Sequence, residues 1–224
     1  MRTAWQNVST LLLLSVSLSI LTLNTAHLNA AEFTILDASN NTVSDAVIEV
    51  TSATTHSTST AMQNAPSAEM GQKDKQFSPR MIAVRQGTTV SLPNYDDIKH
   101  HIFSFSPANT FEKSLPKGSQ DATLSFNSAG IVELGCNVHD WMMGYVYVAA
   151  SPLFAISGES GQVTISNTPK GQLHVKVWHE LLGNDDSSIY TTRINPDSNG
   201  KYIINLPVDI AEQDAFDIDE LGDY

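Results

Sequence analysis

The stretch GIVELGCNVHDWMMGYVYV, residues 130–148, decides how this chain is read. Its first seven residues alternate. Val132, Leu134 and Cys136 share one face of an extended segment, and Glu133 and Gly135 share the other. Cys136 therefore ends a strand pointing into a core. A loop, NVHDWMMG at 137–144, leads straight into YVYV at 145–148, a second strand. Such a strand–loop–strand unit can gather Cys136, His139 and a methionine around one point. Cys136 is the only cysteine of the 224 residues, so no internal disulfide is open to it. In an oxidising compartment a lone thiol is buried, paired to another chain or held by a metal.

The compartment is indicated at the other end of the chain. Arg2 is the only Lys, Arg, Asp or Glu before Glu32, and the apolar run LLLLSVSLSILTL at 11–23 is followed by small residues around LNAAEF. A short basic end, an apolar stretch and a small-residue zone make a secretory signal over residues 1–31. Cleavage is expected after Ala30 or Ala31, with Ala26 and a retained N-terminal anchor as alternatives. The run is too short for a comfortable membrane span. Export to the periplasm follows from this reading.

The chain carries 12 Lys and Arg against 24 Asp and Glu, a net charge of −12. Removing residues 1–31 removes one basic residue and no acid, giving about −13 (11 against 24). Nucleic acid needs a positive footprint and is excluded as a natural partner. A basic protein partner suits this charge, because opposite fields speed encounter.

Everything after the signal reads as all-β. Short runs such as FTILD (33–37), DAVIEVTS (45–52), RMIAVRQGTTVSLPN (80–94), HHIFSFS (100–106) and ATLSFNS (122–128) end near Gly, Pro, Asn or Ser. A second group follows: GQVTISN (161–167), GQLHVKVWHE (171–180), SIYTTRI (188–194) and KYIINLP (201–207). No ten-residue stretch shows a helical period. Residues 51–74 are rich in Ser, Thr and Ala, and 56–71 reads as a linker. The last stretch, 209–224, holds seven acids and no base and reads as an acidic tail, with a short terminal helix as alternative.

Thiolate, imidazole and thioether form a soft donor set that suits copper in both oxidation states. A trigonal copper site needs a second imidazole, and KHHIFSFS offers one from a separate strand. Neighbouring histidines on a strand face opposite sides, so only one of His100 and His101 can serve. The other reading of these residues is structural: a buried Cys among apolar neighbours is usually inert. Met62, Met70 and Met81 read as packing or loop residues, His56 as a linker residue, and His174 and His179 as structural.

The segments QFSPRMIAVRQGTTVSLPN (76–94), HHIFSFS, GIVELGCNVHDWMMGY (130–145) and VKVWHELL (175–182), with the pattern C-x2-H-x2-M, resemble the cupredoxins, the small blue-copper proteins. The spacing is most like the amicyanins, and the fuller string is closest to periplasmic plastocyanin-like proteins labelled methylamine utilisation proteins. The resemblance covers residues 70–182. It implies a Greek-key β-sandwich and one type 1 copper per chain. Cys136 would then be the thiolate ligand, His139 the exposed imidazole, Met142 the weak axial thioether and His100 the first imidazole. His101 and Met143 stay open as replacements for His100 and Met142. Relatives carry Asn where this chain has His101, and that Asn helps brace the copper loop, so the brace is in question here. The implied role is one-electron transfer with a redox partner such as a c-type cytochrome or a dehydrogenase, without catalysis. Trp141, Met143 and Leu92 would form an apolar docking surface. A copper-delivery protein and a metal-free β-sandwich scaffold are the competing readings.

FTILDASNNTVSDAVIEV (33–50) and FAISGESGQVTISNTPKGQLHVKVW (154–178) resemble the opening and the later strands of a transthyretin-like module of carboxypeptidase regulatory domains. The expected order is therefore a smaller sandwich split into 32–55 and 151–208, with the cupredoxin domain at 72–150 inserted between its halves. In this arrangement residues 33–51 pair with strands after residue 160. The simpler alternative is a linear order, copper domain first.

Overall fold

The computed structural model describes residues 30–51 and 67–210. The signal segment up to residue 29, linker residues 56–66 and the tail from residue 211 lie outside the described residues. Seventeen short strands run through the described residues. Two come first, β1 (Ala30–Leu36) and β2 (Val47–Thr51). The middle of the chain supplies β3 (Ser67–Glu69), β4 (Gly71–Lys73), β5 (Gln76–Ser78), β6 (Met81–Arg85) and β7 (Thr88–Ser91). It continues with β8 (His100–Ser104), β9 (Phe111–Leu115), β10 (Thr123–Phe126), β11 (Gly130–Cys136) and β12 (Met143–Ala149). The last part gives β13 (Phe154–Ile156), β14 (Gln162–Ser166), β15 (Leu173–Trp178), β16 (Tyr190–Ile194) and β17 (Tyr202–Asn205). The helical residues among those described are two three-residue 3-10 turns, at Glu180–Leu182 and Asp186–Ser188. No helix among the described residues is long and apolar enough to cross a membrane.

The larger sandwich packs the sheet β6-β12-β11-β8-β9 against the sheet β10-β7-β3. Between them lie Val90, Ile102, Leu115, Phe126, Val132, Leu134, Val146 and Val148. β11 is the central strand of the larger sheet, paired antiparallel with β12 on one side and β8 on the other. Its inward residues are the alternate set that ends in Cys136, as strand geometry requires.

The smaller sandwich is built from both ends of the chain. β1 pairs with β14 and β17, and β2 pairs with β13 and β15. Phe33, Ile35, Ile48, Val50, Val175, Val177 and Ile204 fill its interior. The larger sandwich thus sits within the chain between the two halves of the smaller one.

Two boundaries differ from those expected. β1 already begins at Ala30, where Ala30 and Ala31 pair with Ser166 and Ile165, so cleavage after Ala31 would take two residues from this strand. Residues 67–71 are not linker. β3 runs parallel to β7, and Met70 beside it is fully buried in the larger core. Ser67-Ala68-Glu69 has no apolar alternation to mark it, because an edge strand of three residues needs only its backbone hydrogen bonds.

β2 is buried on both faces. Ile48 and Val50 enter the smaller core, while Val47 and Glu49 face the larger sandwich. There Val47 and Trp178 meet Ile131, Tyr145, Tyr147 and Ala149 in a third apolar cluster. The Glu49 carboxylate, also buried, accepts from Tyr147 Oη at 2.8 Å and from Ser151 N at 2.6 Å.

Candidate metal centre

β11 delivers Cys136 to one end of the larger sandwich, and the loop of residues 137–142 turns back over it before β12 begins. Met142 N donates to His139 O at 3.1 Å, which closes this turn and points residues 139 and 142 toward the same end. On the other side of β11, β8 runs antiparallel, with Ile102 opposite Cys136. Alternation along β8 buries His100, Ile102 and Ser104 and turns His101 and Phe103 outward.

These elements bring His100, Cys136 and His139 together. His100 Nδ1 lies 3.6 Å and His139 Nδ1 lies 3.9 Å from Cys136 Sγ. One donor atom from each residue falls within 4.8 Å of the other two. The imidazole centroids are 5.2 Å apart with the rings inclined at 50°. Ligand bonds of about 2.0–2.3 Å to one ion would set a sulfur and a nitrogen about 3.5 Å apart. The spacing of the three donors fits a single ion of that kind. Cys136 is 5% exposed and shares a buried cluster with Met142.

His139 departs from expectation. It is 7% exposed, because the Trp141 ring stands 5.2 Å away, inclined at 54°. Trp141 is itself 46% exposed, so the indole, not the imidazole, meets solvent at this end. Burial, with the nearby His100 and Lys75, holds His139 below its usual range, which keeps a lone pair available on the ring. Val138, also exposed, flanks the same loop.

His101 stays outside the cluster and braces the loop. Its carbonyl accepts from Asn137 N at 2.9 Å, its Nδ1 is 2.8 Å from Asn137 Nδ2, and its Nε2 is 3.1 Å from Glu112 Oε1. The brace placed in question by the loss of Asn is supplied by His101 itself with Asn137. Met143, the first residue of β12, is partly exposed and faces away from the core. It lines an outer pocket of about 300 Å³ with Phe103, Phe105, Glu133 and Gly135. The Phe103 ring crosses Gly135 so closely that a Cβ there would lie 2.7 Å from it, hence the glycine next to Cys136. Leu92 is fully buried and takes no part in any docking surface. His179 caps a 3-10 turn, its Nδ1 accepting from Leu181 N at 3.1 Å.

Sequence reasoning missed Asp96 and Asn94. Asp96 Oδ2 is 2.7 Å from His100 Nε2, and its two oxygens also accept from Asp74 N and Lys75 N at 2.7 and 3.0 Å. Burial alone would raise this carboxyl, but the Lys75, His100 and Asp74 hydrogen bonds outweigh it and hold it below the usual carboxylate value. Asn94, fully buried, donates to the carbonyls of Ile98, Leu115 and Pro116 and accepts from Asp96 N. Both residues lie in NYDDIK (94–99), the stretch before β8, which has no period and where spacing carries no signal.

No protein-family model matches this chain, and no curated protein does. Solved structures do resemble parts of it. A purple cupredoxin from Nitrosopumilus maritimus is 24% identical with a TM-score of 0.33, over 37% of this chain and 99% of that one. Amicyanin from Paracoccus versutus is 20% identical with a TM-score of 0.31, over 45% of this chain and 96% of that one. A copper-containing nitrite reductase from Thermus scotoductus is 20% identical with a TM-score of 0.32, over 37% of this chain but only 22% of that one.

Proposed function

We propose that this protein is an exported, periplasmic electron carrier in which His100, Cys136 and His139 would hold one type 1 copper, with the Met142 thioether as a fourth, weaker ligand. The observation that supports it most is the convergence of two imidazoles and one thiol, from the start of β8, the end of β11 and the loop after it, within 4.8 Å in a buried pocket. Thiolate and imidazole together suit copper, and an added distant thioether favours neither oxidation state strongly. Bound there, copper would supply a one-electron couple.

The chain's own residues do the rest. The core around Cys136 excludes water from the sulfur. The two strands hold His100 and Cys136 in register, so little needs to move when the charge at the site changes. Trp141 covers His139 and offers a partner an exposed apolar contact beside it. A net charge of −12 steers a basic redox partner such as a c-type cytochrome, with a dehydrogenase as the other class. On this reading the protein carries electrons and transforms no substrate.

The test is reversible one-electron cycling. The copper-loaded protein should be reduced and reoxidised repeatedly, one electron per chain, with no metal lost to a chelator. It should also exchange electrons with a basic c-type cytochrome at a rate that falls as salt is added. Release of copper to the chelator on reduction would instead support the delivery reading. Failure to bind copper at all would support the scaffold reading.

A further inference from the structure

His100 has two ring nitrogens, and both have partners. Nδ1 faces Cys136 Sγ at 3.6 Å, and Nε2 faces Asp96 Oδ2 at 2.7 Å. An ionised carboxylate only accepts hydrogen bonds, so Nε2 carries a proton, and in the neutral ring that a metal requires Nδ1 then presents its lone pair to the cluster. The carboxylate cannot swing away. Asp74 N and Lys75 N bind its two oxygens, and buried Asn94 holds its backbone N–H at 3.0 Å. Asp96 thereby ties the β4–β5 turn, the loop before β8 and the His100 ring to one point.

We infer that Asp96 is a positioning residue of the metal centre, which locks His100 in the Nε2–H tautomer and, as a fixed negative charge behind that ring, favours the more oxidised metal. This rests on the copper reading above. A histidine ligand whose far nitrogen donates to a carboxylate is oriented and made more basic, and losing such a partner typically costs about 10–100-fold in metal affinity. The charge adds to this. An anion next to the ligand attracts a doubly charged ion more than a singly charged one, and with 12% of the Asp96 side chain exposed the screening is only partial. The reduction potential is therefore lower than a neutral acceptor would allow.

The experiment compares the full chain with Asp96→Asn, which removes the charge but keeps one oxygen. Glu69→Gln serves as control, because it removes a carboxylate on the neighbouring segment that, among the described residues, accepts from the exposed Tyr95 hydroxyl alone. In the metal-free wild type, ¹H–¹⁵N NMR should show the His100 proton on Nε2, and Asp96→Asn should mix the tautomers. In the copper form, Asp96→Asn should raise the ratio of Cu(I) to Cu(II) affinity at least tenfold, a rise in potential of about 59 mV for one electron. Glu69→Gln should leave both readouts at the wild-type value. A wild-type His100 proton on Nδ1 overturns the inference without any variant, even if Asp96→Asn fails to fold. An unchanged tautomer and potential in Asp96→Asn, with only a lower melting temperature, also overturns it and leaves Asp96 a clamp on the β4–β5 turn. If the wild type takes up no copper, the carrier reading and the potential shift fail together, and the metal-free tautomer still decides whether Asp96 sets the ring.

Discussion

His100 and His101 are neighbours with opposite duties, because successive side chains on β8 face opposite sides of the sheet. His100 looks into the pocket and His101 looks across to Asn137 and Glu112. If the proposed copper centre is right, replacing His100 by Ala should abolish its blue colour. Replacing His101 by Ala should keep it, at a cost of about 1 kcal/mol in unfolding free energy from the lost Asn137 hydrogen bond. Visible spectra and denaturant unfolding of the two variants check this pair, and loss of colour in the His101 variant would contradict the assignment. At this scale the approach of His139 to Cys136 could be read from their spacing, since a short loop leaves few ways to fold. The cover over His139 could not be read. A Trp two residues away can point to either side, and only the turn closed by Met142 N and His139 O sets which.

The strands show what alternation reveals and what it hides. In β11 it identifies the face of Val132, Leu134 and Cys136, because one side packs on the core. In β2 the same reasoning would send Glu49 to solvent, whereas it is buried against Tyr147 and Ser151. A strand covered on both faces has no polar side for the pattern to display. At the start of the 3-10 turn Glu180–Leu182, His179 accepts from Leu181 N and is held below its ordinary value of 6.5 by burial, which outweighs the opposing Asp45 charge, with a smaller push from Arg80. The unfolded chain therefore binds more protons than the fold as pH drops below about 6.5, so this contribution is complete above that pH and is lost below it. His139 adds a slope of the same sign in the metal-free protein. Denaturant titrations of the metal-free protein from pH 7.5 to about 5 should show falling stability. His179→Asn, which can still cap the turn, should flatten part of that slope. An identical slope in the variant would remove His179 as its source.

The whole molecule is two sandwiches joined by a buried seam. Trp178 is fully buried, with Tyr145 at 5.5 Å and Tyr147 at 6.2 Å between ring centroids. Arg80 and Glu180 form an ion pair across the same seam at 2.9 Å, and Asn184 donates to Glu133. Trp178→Ala should cost about 3–5 kcal/mol, the range for deleting a large buried aromatic. Followed by copper colour and by circular dichroism, the wild type should unfold in one transition, and the variant should separate into two. One coincident transition in both would mean that the seam does not couple the sandwiches. The split order of the smaller sandwich left a trace in the sequence, as the likeness of residues 33–50 and 154–178 to the opening and the later strands of one module. The seam left none, because Tyr145, Tyr147 and Trp178 read equally well as the core of either sandwich.

A titration of the metal-free chain with Cu(II), in parallel with its Cys136→Ser variant, tests the central claim most directly. The account predicts intense blue absorption that saturates at one copper per chain in the wild type and is absent in the variant. The same band in Cys136→Ser, or copper bound by the wild type without it, would contradict a centre built on this thiolate.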